Sequence, residues 1–164
     1  MDKRLYVLAG YDEETETRLS TLRQRLVDKG YIGTQTPDIP HHITLGSFDV
    51  SMEDELKASL PRVCRSTDSF RVSFSHLGIF GGSRVLFVAP DANPRLLKLK
   101  EEFGDSFQWT AHTTMLIDEP DTIFRALPII AREFTPFCGY VDSLYLFEFF
   151  PKRFISRERL RRTE

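Results

Sequence analysis

The chain is poor in cysteine, has no long apolar run and carries almost no net charge. Its two cysteines, Cys64 and Cys138, stand far apart among 164 residues and lack metal-ligand spacing. That excludes a disulfide scaffold and predicts small buried thiols in a reduced, intracellular protein. No stretch approaches the ~20 apolar residues of a membrane span. The first apolar run, Leu5 to Gly10, is short and is followed at once by Asp12, Glu13 and Glu14, which is not a signal-peptide pattern. The expectation is a cytoplasmic protein with no membrane association. A formal charge of −2 excludes a broad basic surface for long nucleic acid, because that mode works by releasing many counterions. Positive charge collects only at the end, where Lys152, Arg153, Arg157, Arg159, Arg161 and Arg162 outnumber Glu158 and Glu164. Residues 152–164 read as a basic tail, its last eight residues solvated.

What is present is enough apolar matter for one core, 41% hydrophobic and 12% aromatic, so 1–164 reads as a single domain. Leu5–Ala9 predicts a buried strand. Asp12 then caps a helix whose Leu19, Leu22 and Leu26 fall at helical spacing before Gly30 ends it. Tyr31 to Pro40, with Gly33 and Pro37, is a loop, and a strand follows from His42 to Phe48. Ser51 with Asp54 suggests a capping box for a short helix that stops at or near Pro61. Phe70, Val72 and Phe74 alternate with polar residues as in a half-buried strand, and Gly81-Gly82-Ser83 makes a turn.

The order then repeats. Val85–Ala89 is a strand, and Asn93 caps a helix with Pro94 at its first position, ending at Gly104. A strand runs from His112 to Ile117, a helical segment from Pro120 to Phe134 is interrupted by Pro128, and a long strand spans Phe137 to Phe149. Two copies of strand, helix, strand, helix, long strand, approximately residues 4–80 and 84–150, make a pseudo-dimer and not a solenoid.

The third element of each copy opens on the same string: His42-Ile43-Thr44-Leu45 and His112-Thr113-Thr114-Met115. The strand period of two sets His and Thr side by side on one face while their neighbours enter the core. An imidazole that moves protons near neutral pH thus sits beside a hydroxyl able to hold a phosphoryl oxygen. Displacement at phosphorus needs one group to take a proton from the nucleophile and another to give one to the leaving oxygen. His41 and His76 lack the following Thr; His41 reads as structural or solvent-facing and His76 as a satisfied polar residue. Asp49 and Asp118, six to seven positions from the histidines, read as loop or cap residues, and no metal-ligand pattern is present.

On these two strings the sequence resembles the 2H phosphoesterase superfamily, which includes 2′-5′ RNA ligase-like proteins and cyclic phosphodiesterases. The resemblance implies an α+β fold, bilobal and pseudo-twofold, with two antiparallel sheets facing a central cleft and helices outside. It carries catalytic roles to His42, Thr44, His112 and Thr114, and implies metal-independent opening of 2′,3′-cyclic phosphates or related 2′-5′ linkages on nucleotides or RNA ends, without a cofactor or an obligate protein partner. Ala111 stands where the family often has Pro, and Met115 where it usually has an aliphatic residue; neither touches the chemistry. Phe80, in Gly78-Ile79-Phe80, is the expected base platform, and Arg153 is within expected reach of a phosphate. Phe48, Trp109 and Phe150 are further aromatic candidates. The competing reading is a non-catalytic module that binds phosphorylated nucleotide or RNA ends.

Overall fold

The computed structural model describes residues 2–162. Seven strands and four helices follow one another as β1 (Arg4–Tyr11), α1 (Glu13–Asp28), β2 (His42–Asp49), α2 (Glu53–Ser66), β3 (Phe70–Ile79), β4 (Val85–Pro90), α3 (Pro94–Glu101), β5 (Thr113–Ile117), α4 (Pro120–Glu133), β6 (Phe137–Phe149) and β7 (Arg153–Arg159). All strand pairs are antiparallel, in the order β2-β1-β6-β3-β4-β5, with β7 also on β6. The expected pair of sheets is therefore one hydrogen-bonded sheet with two wings. The cause is the length of β6: residues 137–141 pair with β3, while 141–149 lie between β1 and β7.

One face of the sheet carries the helices. Leu19, Leu22 and Leu26 of α1 and Ile123, Ala126 and Ile130 of α4 are buried with Val7, Ala9, Leu144 and Leu146 in the main core. Asp12 caps α1 by accepting from the Thr15 amide at 3.0 Å, and Asn93 caps α3. The capping box at Ser51 is not formed. Asp49 accepts from the Ser51 amide and opens a short 3₁₀ turn at residues 50–52 instead. Asp118 likewise bonds the Glu119 amide.

Neither internal proline ends its helix. Pro61 and Pro128 each occupy the ninth position, of α2 and α4 respectively, and both helices run on past them. A proline inside a helix costs about 3 kcal/mol, and the apolar residues beyond it, Val63 and Cys64 in α2 and Ile130 in α4, are buried and offset that cost. Cys64 is buried as expected, its thiol pushed up to about 12 by burial, but Cys138 is exposed beside Arg71.

The expected basic tail is largely structured. Residues 153–159 form β7, Leu160 is buried, and Arg161 pairs with Asp68. Ile155 and Leu160 supply the apolar contacts that a count of charges overlooks. Thr163 and Glu164 lie outside the described residues. No helix among those described is long and apolar enough to cross a membrane.

Candidate active site

The open face of the sheet holds a cleft of about 520 Å³, which Arg23 and Val27 of α1 also line. His42, Thr44 and Thr114 line it together with the 35–42 segment, Tyr6, Leu8, Phe149 and Phe150. His42 and Thr44 come from β2 and Thr114 from β5, the two terminal strands of the sheet path. The sheet curls until these edges meet, and side chains span the gap. The Thr113 hydroxyl donates to the His42 carbonyl at 3.1 Å, and the Trp109 indole N–H donates to the Thr44 carbonyl at 3.1 Å. Since Thr113 spends its one proton on His42, the buried Tyr11 hydroxyl donates to Thr113 Oγ1, at 2.6 Å. Burial also raises the Tyr11 pKa well above the ordinary phenol value, so it stays a donor.

Both histidines are fixed the same way. His42 Nδ1 lies 2.8 Å from the Pro40 carbonyl and His112 Nδ1 lies 2.9 Å from the Thr110 carbonyl, each two residues upstream. A carbonyl only accepts, so each Nδ1 carries a proton, and Nε2 is left as the nitrogen that can take or give one. Each motif strand also bulges immediately after its Thr. Leu8 faces Thr44 but Val7 faces Gly46, and Phe87 faces Thr114 but Leu86 faces Leu116. Leu45 and Met115 are the extra residues, and both are fully buried. Neither Thr44 nor Thr114 offers its hydroxyl to a protein partner among the described residues, so both hydroxyls are free for a ligand.

The surroundings of the two rings differ. His42 is held below the ordinary imidazole value by burial, and further by the neighbouring positive charges of His41 and His112; the Pro40 carbonyl and the Glu16 carboxylate pull the other way. His112 is also lowered by burial, against the pull of its Thr110 hydrogen bond. Its apolar walls are Phe80, edge-on at 4.6 Å, and Phe87 at 5.4 Å. Gly78 makes that wall possible, because a Cβ there would overlap the Phe87 ring.

Phe80 is thus placed against His112, and Phe150 on the cleft wall. Arg153 is elsewhere: its guanidinium is taken up by Glu53 at 2.6 Å and Glu148 at 3.0 Å, and it does not line the cleft. Two nearby carboxylates outcompete a transient phosphate for it, and Glu53 is held at about 2 in return. Phe48 packs against the main core. His41 is not turned away from the cleft as alternation implies. It precedes β2, so the period of two does not govern it; Glu16 binds its ring at 2.8 Å and its amide at 3.1 Å, and it lines the cleft beside His42. His76 stands near Asp91, at 3.4 Å, outside the site.

Residues that sequence reasoning passed over include Arg23, which bonds the Tyr31 and Ile32 carbonyls, and Gln35, which bonds the Met115 carbonyl and the Ile117 amide. Together they hold the 31–40 segment over the cleft and against the free edge of β5. Thr113 had a readable signal, a polar residue at the inward position that Ile43 fills in the other motif, which demands a buried partner.

A sheet-lined cleft holding His42, Thr44 and Thr114, with the matched His112 two residues before Thr114, defines the class of a 2H-type phosphoesterase fold. The sequence matches the 2′-5′ RNA ligase superfamily over residues 11–149, and the chain belongs to that family. Solved structures agree on the fold. LigT of E. coli in apo form is 18% identical with a TM-score of 0.65, covering 96% of this chain and 97% of its own. TT0787 of Thermus thermophilus is 18% identical with a TM-score of 0.65, covering 98% and 100%. E. coli LigT complexed with 3′-AMP is 17% identical with a TM-score of 0.60, covering 96% and 97%. Comparison with curated proteins gives no match.

Proposed function

We propose that the protein hydrolyses 2′,3′-cyclic phosphates, or related 2′-5′ phosphodiester linkages, on nucleotides or RNA ends, using His42 and His112 as acid–base pair. The observation that carries this reading is the matched fixing of the two rings: each Nδ1 is committed to a carbonyl two residues upstream, each Nε2 is left to exchange a proton, and each ring is followed by a Thr with a free hydroxyl. A pocket that only bound phosphate would be served by hydroxyls and cations. Two imidazoles of fixed tautomer are what proton transfer from the attacking water and to the leaving oxygen needs.

In this scheme one neutral imidazole takes a proton from water as it attacks phosphorus, and the other, protonated, gives one to the departing ribose oxygen. Thr44 and Thr114 hold the non-bridging oxygens as negative charge gathers on them. We assign the base to His42, which is lowered by His41 as well as by burial, and the acid to His112, which has no charged neighbour among the causes of its shift. A bound phosphate raises both rings and keeps the acid protonated at higher pH than in the free enzyme. Joining a 5′-hydroxyl to a cyclic phosphate is the same step with that hydroxyl in place of water: the base takes its proton, the new P–O bond forms as a ribose P–O bond breaks, and the acid protonates the departing ribose oxygen. The cleft's size and the LigT complex with 3′-AMP support a nucleotide-sized ligand.

The test is turnover of a panel of nucleoside 2′,3′-cyclic phosphates in excess EDTA by the wild type, His42→Ala and His112→Ala. Hydrolysis that survives chelation and is lost in both variants supports the scheme. Undiminished turnover in either variant, or its loss on chelation, sinks it.

A further inference from the structure

The register of the sheet carries the open face well beyond the catalytic cleft. Thr44 lies opposite Leu8, Leu8 opposite Tyr145, and Tyr145 opposite Arg157. In the next row His42, Gly10, Ser143 and Arg159 follow one another across the same four strands. Three strand spacings, roughly 15 Å, therefore separate the catalytic edge from two arginines on the same face. Between them the Tyr145 ring lies over Gly10, where a Cβ would overlap it.

Beside these rows runs a chain of aromatic rings. Phe150, on the cleft wall, is 5.3 Å from Phe149; Phe149 stacks on Phe147 at 5.7 Å; Phe147 meets Phe154 of β7 at 5.5 Å. The two ends are the exposed ones, Phe150 at 52% and Phe154 at 58%, whereas Phe147 and Phe149 are buried. The row has exposed rings at both ends, while Ile39 of the 35–40 segment packs on its buried middle, and the exposed rings are the part of this face left for an occupant.

Arg157, Arg159 and Arg162 line a second groove of about 920 Å³, which meets the catalytic cleft at Pro40. Arg157 lies over the Tyr145 ring at 5.3 Å, and none of the three has a carboxylate partner among the described residues. The opposite wall is acidic but largely occupied. Asp12 caps α1, Glu14 pairs with Arg18 and Glu16 holds His41, leaving Glu13 and the half-buried Asp142 to face the three arginines.

We infer that this face binds the single-stranded RNA segment preceding the terminal phosphate, with bases on Phe150 and Phe154 and backbone phosphates on Arg157 and Arg159. The preferred substrate is then an oligoribonucleotide end and not a free nucleotide. Sheet faces that present aromatics to bases and arginines to phosphates are a recurring way of holding single strands. The small net charge confines the contact to these few cations, in keeping with a short segment at one end. The inference rests on the proposed function, since it extends the same site.

Affinity tests it without depending on turnover. Binding of a hexaribonucleotide bearing a 3′-phosphate is compared with binding of a nucleoside 3′-phosphate, by anisotropy and competition, in the wild type, Phe154→Ala and the double variant Arg157→Gln/Arg159→Gln. The expected result is a hexamer preference of about a hundredfold in the wild type, reduced about tenfold by Phe154→Ala. The double variant should also flatten the salt dependence of hexamer binding. Equal affinity for hexamer and nucleotide in the wild type overturns the inference, even if cyclic phosphates are hydrolysed. So does a preference unchanged in both variants, or a loss of self-association in Phe154→Ala with unaltered hexamer affinity, which would make the face a contact between copies. Failure of turnover with an intact hexamer preference would count against the proposed chemistry alone.

Discussion

The two motif strands hold their histidines with the same hydrogen bond and bury both, but give them different neighbours. On β2, His42 sits among polar and charged groups: His41 on one side, the Glu16 carboxylate behind it, and the 35–40 segment above. Just before β5, His112 stands between two phenyl rings, Phe80 and Phe87, with no ionised neighbour among the causes of its shift. The likeness of the two arms extends to the bulge after each Thr and to the proline at the ninth position of the following helix. The difference would give the proposed acid–base reaction a preferred base and a preferred acid, because two rings in identical settings would titrate alike.

The largest effects should come from removing either ring. His42→Ala and His112→Ala should each cut kcat on a cyclic phosphate by roughly 10²–10⁴-fold. The double variant should cost little more than one single variant, because the pair acts as a unit. Steady-state kinetics on the three proteins decide this; full additivity would mean the rings act independently. Next come the hydroxyls. Thr44→Val and Thr114→Val keep the strand shape and should each lower kcat about a hundredfold if the hydroxyls stabilise charge that grows in the transition state. A rise in KM with kcat unchanged would assign them to ground-state binding instead.

Much of this asymmetry was out of reach of the sequence, for physical reasons that differ by residue. The His-x-Thr strings were legible because a strand's period of two is local, and the helix starts at Asp12 and Asn93 because capping is local. Pro61 and Pro128 misled, since tertiary burial beyond each proline overrides a local penalty. Arg153 misled because its partners, Glu53 and Glu148, come from α2 and β6 and no spacing rule links them to it. The meeting of β2 and β5 is also non-local: it depends on the sheet's curl and on Thr113 and Trp109 reaching across it. Thr113→Val tests that joint. It strands the Tyr11 hydroxyl and the His42 carbonyl without a partner and should cost about 1–3 kcal/mol in urea unfolding. Tyr11→Phe, which leaves Thr113 bonded to His42, should cost less and preserve kcat.

The smallest effect is the sharpest probe of the comparison. Both rings titrate below the ordinary imidazole value, so in the free enzyme both limbs of the kcat/KM profile should lie on the acid side of about 6.5. The sign for stability follows from the same shifts. Between the unfolded value and the lower folded ones the unfolded chain binds more protons. Stability should therefore fall as pH drops through that window, before the carboxylates begin to protonate. His41→Asn removes one of the groups that lower His42, so the His42 resonance should titrate higher while that of His112 stays in place. Phe80→Ser opens the apolar wall of His112 to water and should raise His112 alone. Ring carbon titrations followed by NMR separate the two. If either substitution moved both rings equally, the settings of the two arms would be electrostatically merged, and the assignment of base to His42 and acid to His112 would lose its physical ground.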